Sequence, residues 1–470
     1  MMNMSDIEQQ YHVKQTQSDD RTNWFHPWEG MADAGTADRT VITHAEGIYV
    51  YDEQDRRLID GPGGMWCMQI GYGRVEMAKA ISDQALAVPY MNPFALTSSP
   101  TARLAAKLAE LAPGDLNHVF LTTCGSTAVD TALRLVHFYN NVKGRPNKKH
   151  LISRADAYHG STYLCALVTG KDRDKNWFDV ASQYAHFLSS VNPSKRPKDM
   201  SIEAFCDEKV NELEQKILSL GAENVGAFIA EPIQASGGVI VPPDGYIRRC
   251  WEICRKYDVL FIADEVVTAF GRLGHFFASK DVFGIEPDMI TCAKGLTSGY
   301  LPMGACLVSD RIFKEISGKN AKGSTFGHGY TYSGHPVCSA AALTSIDIIE
   351  RENILQHVRE IGPYFQKRLQ ELREIPLVAD VRGMGLVGCV ECTVGGLGEA
   401  SLEFDMNLGA RIDNHCHELG LMVRPIVNKC VFSPPLIITK EQIDTMVDIL
   451  KESIIRTMHD IQHELGIELV

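Results

Sequence analysis

Val259-Leu260-Phe261-Ile262-Ala263-Asp264 and, thirty positions beyond its closing aspartate, Lys294 in Thr291-Cys292-Ala293-Lys294-Gly295-Leu296 decide how this chain reads. Each ionisable residue ends an apolar run of strand length. The runs are continuously apolar rather than alternating, as expected of strands covered by helices on both faces. A carboxylate taken out of water is costly unless paired, and a lysine desolvated among apolar neighbours loses its proton more readily and becomes nucleophilic. Asp264 and Lys294 at two strand ends could therefore face one another across a ligand. Taken singly, each also fits a plainer reading, with Asp264 capping the next helix and Lys294 reaching out to solvent.

Similar apolar runs lie at 119–123, 150–153, 227–231, 289–292 and 304–308, bounded by Gly, Pro or Asp and alternating with helical patterns such as 101–111. This alternation predicts an α/β fold with a mixed, mainly parallel sheet and crossover helices. Two short strands at 47–52 and 57–60 precede it. A helix from about 337 to 350 leads to a second α+β unit, with strands near 378–384, 386–390, 421–424 and 431–433. The expected division is an N-terminal segment 1–70 contributing to the small domain, a large domain 71–336 and a small C-terminal α+β domain 337–470. The segment 192–207, with Pro193 and Pro197 among charges, reads as a surface excursion.

Composition bounds the partners. The 470 residues are 45% hydrophobic and 22% charged, ordinary for a soluble globular chain. A formal charge of -13 and a pI near 5.7 disfavour nucleic acid and anionic membrane, which demand clustered positive charge. The 13 Cys are scattered, and the only C-x-x-C, Cys389 to Cys392, has no second pair to complete a zinc site, so no metal is expected. A reducing cytoplasm fits that usage. Residues 1–20 lack a signal-peptide pattern, and no apolar run reaches the roughly 20 residues of a spanning helix.

Further pieces carry chemistry. Gly125-Ser126-Thr127-Ala128 stands between a strand and the helix expected at 129–139. Small residues there let helix N-terminal N–H groups approach an anion, and Ser126 adds a hydroxyl, although Ser126 would also serve as a plain N-cap. Tyr158-His159-Gly160 follows the strand at 150–153, where an aromatic can stack on a flat heteroaromatic ring or simply join the core. Gly383-Met384-Gly385-Leu386-Val387-Gly388 matches a dinucleotide fingerprint by letter, but it runs into another strand rather than opening a helix, which argues against a dehydrogenase.

In order along the chain, Gly125-Ser126, Tyr158-His159-Gly160, Glu231-Pro232-Ile233-Gln234, Asp264-Glu265-Val266 with Gly271-Arg272, Pro287-Asp288, Ala293-Lys294-Gly295 and Thr331-Tyr332-Ser333-Gly334-His335-Pro336 resemble the class III aminotransferases. The resemblance covers nearly the whole chain. It implies the fold type I architecture of pyridoxal-phosphate enzymes: a large domain with a mainly parallel seven-stranded sheet and a smaller α+β domain. Lys294 would hold the pyridoxal 5'-phosphate aldehyde covalently and shuttle the proton, and Asp264 would pair with the ring nitrogen. Tyr158 and Val266 would cover the ring faces. His159 and Glu231 would border the cofactor, with Gln234 in support. Gly125 and Ser126 would hold the phosphate, and Thr331 would reach it from a neighbouring subunit, so a homodimer or dimer of dimers is expected.

On the substrate side the resemblance implies that Arg424, after the run Leu421-Met422-Val423, clamps a carboxylate with its planar fork. Ser236 stands where ornithine, acetylornithine and γ-aminobutyrate aminotransferases usually carry a glutamate able to neutralise that arginine. Trp66, flanked by Met65 and Cys67, and Phe94 resemble aromatic walls of the amine:pyruvate and ω-amino acid:pyruvate relatives. The expected reaction moves an amino group from an amine or ω-amino acid to pyruvate, forming L-alanine. Thr127 departs from the family's usual glutamate. Racemase, aminomutase and decarboxylase chemistries share the fold and the lysine, and a non-catalytic chain that has kept the fold is a further alternative.

Overall fold

The computed structural model describes residues 10–466 apart from positions 33, 37, 181, 320, 322 and 396–398. Seven strands form the central sheet in the order His118–Thr122, Gly304–Val308, Met289–Cys292, Leu260–Asp264, Val225–Ala230, His150–Arg154 and Ala185–Leu188. All run in one direction except Gly304–Val308, which is antiparallel to both neighbours. The inner strands Val225–Ala230, Leu260–Asp264, Met289–Cys292 and Gly304–Val308 are buried at every residue, which is why their sequences are continuously apolar. The edge strand Ala185–Leu188 is only partly buried and reads Ala-His-Phe-Leu, and the apolar pattern does not reveal it.

Helices close both faces. Gly125–Val142 buries Val129, Ala132, Leu133 and Val136 against one side, and Tyr246–Lys256 buries Ile247, Cys250 and Cys254 on the other. The first helix is capped reciprocally, with Thr127 Oγ1 accepting the Cys124 N–H at 2.9 Å. A glutamate at the third helical position would do the same, so the substitution at 127 preserves the cap. The segment 192–207 is more ordered than expected, because Ser201 Oγ accepts the Ala204 N–H at 3.0 Å and starts a helix at Ile202–Leu220.

Two four-stranded sheets accompany the central one. The N-terminal strands His44–Glu46, Tyr49–Tyr51 and Arg57–Asp60 are completed by the distant Leu421–Met422, which pairs parallel with Arg57–Asp60. The other sheet orders Val378–Met384, Val387–Cys392, Lys429–Phe432 and Arg424–Ile426. Gly383, Gly385 and Gly388 lie in its tight hairpin, where Gly383 faces Gly388 and Gly385 turns at φ +56°, so this fingerprint belongs to a β-turn. No described helix is long and apolar enough to cross a membrane.

Candidate active site

The carboxyl ends of the central strands converge, and ligands of open α/β sheets bind at that edge. A cavity of about 670 Å³ opens there, lined by Gly125, Ser126, Tyr158, His159, Glu231, Ser236, Asp264, Val266, Lys294, Trp66 and Arg424, among others. A larger groove of about 1040 Å³ lies elsewhere, beside the helix Ile202–Leu220 and the strand Val378–Met384. Its arginines are largely paired, Arg249 with Asp207 at 2.7 Å and Arg373 with Asp380 at 2.6 Å, and it holds none of the strand-end residues.

Asp264 closes its strand 4% exposed and opposite Thr291. Its Oδ2 lies 2.6 Å from His159 Nδ1, a hydrogen bond in which the imidazole donates, and Oδ1 accepts from Val266 N and Thr291 Oγ1, both at 3.2 Å. The helix cap of the plainer reading is not formed: residues 265–277 are loop and turn, and the Val266 bond only steadies the start of that loop while Asp264 lines the cavity. Glu265 points the other way. Its buried carboxylate accepts from Ala278 N at 2.7 Å and Ser279 N at 2.9 Å, tying down the loop that follows Asp264.

Lys294 follows the neighbouring strand on a turn closed by Leu296 N to Ala293 O at 2.9 Å. Its own φ is +43°, a left-handed conformation that costs a non-glycine residue about 1–3 kcal/mol and persists only where the surroundings impose it. The ammonium lies 5.7 Å from the Trp66 ring centroid and makes no hydrogen bond or ion pair among the described residues. Burial holds its pKa below the ordinary lysine value, opposed by the charges of Asp264 and Glu231. Past Trp66 the chain is pinned to the turn after Lys294 by Ser298 Oγ, which accepts from Gln69 N at 2.9 Å and Ile70 N at 3.0 Å.

At the other end, Ser126 Oγ accepts the Ser161 N–H at 3.1 Å, joining the helix N-terminus to the turn after Tyr158. Two glycines leave this corner open. A Cβ at Gly160 would stand 2.5 Å from Ser126 Oγ, and one at Gly125 would stand 3.0 Å from Val266 Cγ1. Glu231 accepts from Tyr158 N at 3.0 Å and Ala235 N at 3.2 Å, with its pKa raised by burial. Gln234 is fully buried, ties Ala155 O at 2.8 Å and does not line the cavity.

The Arg424 guanidinium carbon sits 5.5 Å from the Trp66 ring centroid, and the side chain has no hydrogen bond or ion pair among the described residues. Burial lowers its pKa. Ser236 Oγ accepts from Lys171 Nζ at 3.0 Å. Lys171, Arg173, Asp174 and Trp28 also line the cavity and were not singled out from sequence. Lys171 to Lys175 alternates in charge and looks like a solvated loop, and Trp28 belongs to a short N-terminal stretch without periodicity. The proximity of Lys171 to the Tyr158 motif was the one available signal.

Phe94 is 81% exposed and lies outside the cavity of its own chain, where its N–H turns onto Asn92 Oδ1 at 3.0 Å and Tyr90 OH ties the same segment to Thr331 O at 3.0 Å. Thr331 is likewise outside, in a shallow hollow with Tyr90 and Leu301. Leu301 borders both hollows, so Thr331 lies beside the site rather than inside it, and Phe94 lines neither.

A buried acid with three donors, a desolvated amine on the adjacent strand and a glycine-lined helix N-terminus fit the ring nitrogen, aldehyde and phosphate of pyridoxal phosphate. These features, on a seven-stranded mainly parallel sheet, define a fold type I pyridoxal-phosphate enzyme. A family model for class III aminotransferases matches residues 31–454, and the chain belongs to that family. It is 41% identical over 419 residues to a putrescine–pyruvate aminotransferase of Pseudomonas aeruginosa, covering 89% of this chain and 91% of the relative. A mitochondrial γ-aminobutyrate transaminase of Oryza sativa subsp. indica is 37% identical over 88% of this chain and 81% of its own length. The solved ω-transaminase of Pseudomonas jessenii in complex with PMP superposes with a TM-score of 0.89 at 35% identity, covering 96% of this chain and 99% of that one. The protein is a pyridoxal-phosphate-dependent aminotransferase, an enzyme that takes an amino donor and a keto acceptor.

Proposed function

We propose that the chain transfers an amino group from an amine or ω-amino acid to pyruvate, giving an aldehyde or ketone and L-alanine in two successive half-reactions. The observation that carries this reading is Arg424, a cation in the reaction cavity with no anionic partner among the described residues. Its fork suits bidentate binding of the pyruvate carboxylate, which supplies the missing counter-charge. The wall against Trp66 accommodates an apolar chain when no carboxylate is present. The donors named for the two curated relatives above, putrescine and γ-aminobutyrate, are both primary ω-amines.

When bound, pyridoxal phosphate supplies an electron sink that acidifies the donor's α-carbon hydrogen. Lys294 Nζ would hold the aldehyde and would carry the proton from and back to the donor carbon, a role its lowered pKa supports. Asp264, oriented by His159, holds the ring nitrogen. Tyr158 and Val266 would cover the ring faces, and Glu231 fixes the Tyr158 backbone by accepting its N–H. Gly125, Ser126 and the partner subunit's Thr331 hold the phosphate, while Trp66, Ser236, Arg424 and the partner subunit's Phe94 bound the substrate. The active unit in this reading is at least a homodimer, since Thr331 and Phe94 cannot serve their own chain's cavity.

The same reading divides the chain into a large cofactor-binding unit at 71–336 and a small unit formed by 337–470 with the N-terminal segment. The parallel pairing of Leu421 with Ile59 supports it. Thirteen unpaired cysteines support a cytoplasmic location. A panel of amines offered with pyruvate tests the function: one alanine forms for each donor consumed. Carbon dioxide release, or loss of chirality without alanine, overturns it.

A further inference from the structure

The charges at the mouth of the cavity do not balance. Among the described residues, Lys171, Arg173 and Arg424 line it with one carboxylate, Asp174, while the other charged lining groups, Lys294, Glu231 and Asp264, stand at or just past the ends of the central strands. Asp174 is shared, with Oδ2 lying 3.1 Å from Lys171 Nζ and Oδ1 accepting from Arg173 Nε at 3.1 Å. Lys171 is held in place rather than free. Its side chain is 11% exposed, its ammonium lies 5.5 Å from the Tyr158 ring centroid, and its remaining partner, Ser236 Oγ, is a neutral acceptor. Burial lowers its pKa, and Asp174, with a smaller contribution from Glu231, opposes that shift. A long ammonium buried in a reaction cavity with half a counter-ion is an expensive arrangement unless a ligand completes it.

We propose that Lys171 is a specificity-determining residue of this site and reads the far carboxylate of an ω-amino acid donor. The proposal rests on Lys294 as the point where the donor's amine reacts. With the amine there, the donor's other end extends toward the mouth. A carboxylate arriving among three cations and one anion bridges Lys171 and Arg173, exchanging with Asp174. A terminal ammonium meets the same three cations and is repelled, and a methyl group is indifferent to them. The field therefore ranks donors of equal length as carboxylate-ended, then uncharged, then diamine.

Mixing δ-aminovalerate, pentylamine or cadaverine with the cofactor-loaded enzyme, without acceptor, measures each donor's half-reaction by the change in cofactor absorption. Lys171→Met should lower the kcat/KM ratio of δ-aminovalerate to pentylamine by about tenfold or more and raise the ratio of cadaverine to pentylamine. Asp174→Asn should move both ratios the opposite way and serves as the test if the lysine variant does not fold. Lys171→Arg keeps the charge and should retain the wild-type order. Valerate, which cannot react, should inhibit the wild type more strongly than Lys171→Met. Ratios that stay within about twofold in both variants, or a wild type that prefers cadaverine to pentylamine, overturn the proposal. Failure of the pyruvate reading looks different: the donor half-reactions proceed and no alanine follows when pyruvate is added.

Discussion

Replacing Arg424 by alanine should separate carboxylate acceptors from simple aldehydes. The guanidinium has no anionic partner among the described residues, so its removal strands no buried charge and the cost falls on the ligand. A hydrogen bond to a charged group contributes about 1.5–3 kcal/mol, and a bidentate fork makes two. The side chain is half-buried, which favours the low end for each, or about 3 kcal/mol together. That corresponds to a loss on the order of 100-fold in kcat/KM for pyruvate, at about 1.4 kcal/mol per tenfold. Contact with the Trp66 ring contributes about 0.5–1 kcal/mol and is lost for every acceptor alike, so butanal should lose no more than about fivefold. Steady-state kinetics with one amine donor and either acceptor give the comparison directly. Arg424→Lys, which keeps charge without the fork, should recover only part of the pyruvate activity. Equal losses for pyruvate and butanal would refute the carboxylate clamp.

Three further outcomes follow from the site. Lys294→Ala should bind pyridoxal phosphate without developing the visible absorption of the lysine-linked cofactor, and a spectrum identical to wild type would sink the assignment. The free amine is the nucleophile and burial lowers the Lys294 pKa, so the rate at which apoenzyme captures cofactor should rise with pH and inflect below 10.5; stopped-flow capture rates that inflect at or above that value contradict the desolvated lysine. Gly160→Ala places a Cβ 2.5 Å from both Ser126 Oγ and Cys165 Sγ at φ +127°. It should cost about 1–3 kcal/mol, lower the Tm and speed cofactor loss on dialysis, and no change in either measurement would show that this corner is not tight.

The central strands were legible because strands buried on both faces must be apolar throughout, and Val225–Ala230, Leu260–Asp264 and Met289–Cys292 are. Ala185–Leu188 escaped because an edge strand buries one side only and tolerates a histidine. Lys171 and Asp174 escaped because a run of alternating charges is the usual signature of solvated loop, and only the enclosing walls of Tyr158 and Ser236 make it part of a cavity. Phe94 was legible as an aromatic at a family position, but not as a residue facing away from its own chain's cavity.

By itself, the order of residues determined the lysine, the acid, the glycine-lined turn and the family they define, because each is a local requirement of chemistry written within a few positions. Tertiary structure alone decided the strand order that brings Asp264 opposite Thr291, the pairing of Leu421 with Ile59, and the surplus of positive charge at the cavity mouth. Those depend on distances between segments far apart in the chain, and such distances are set by packing that no local pattern records.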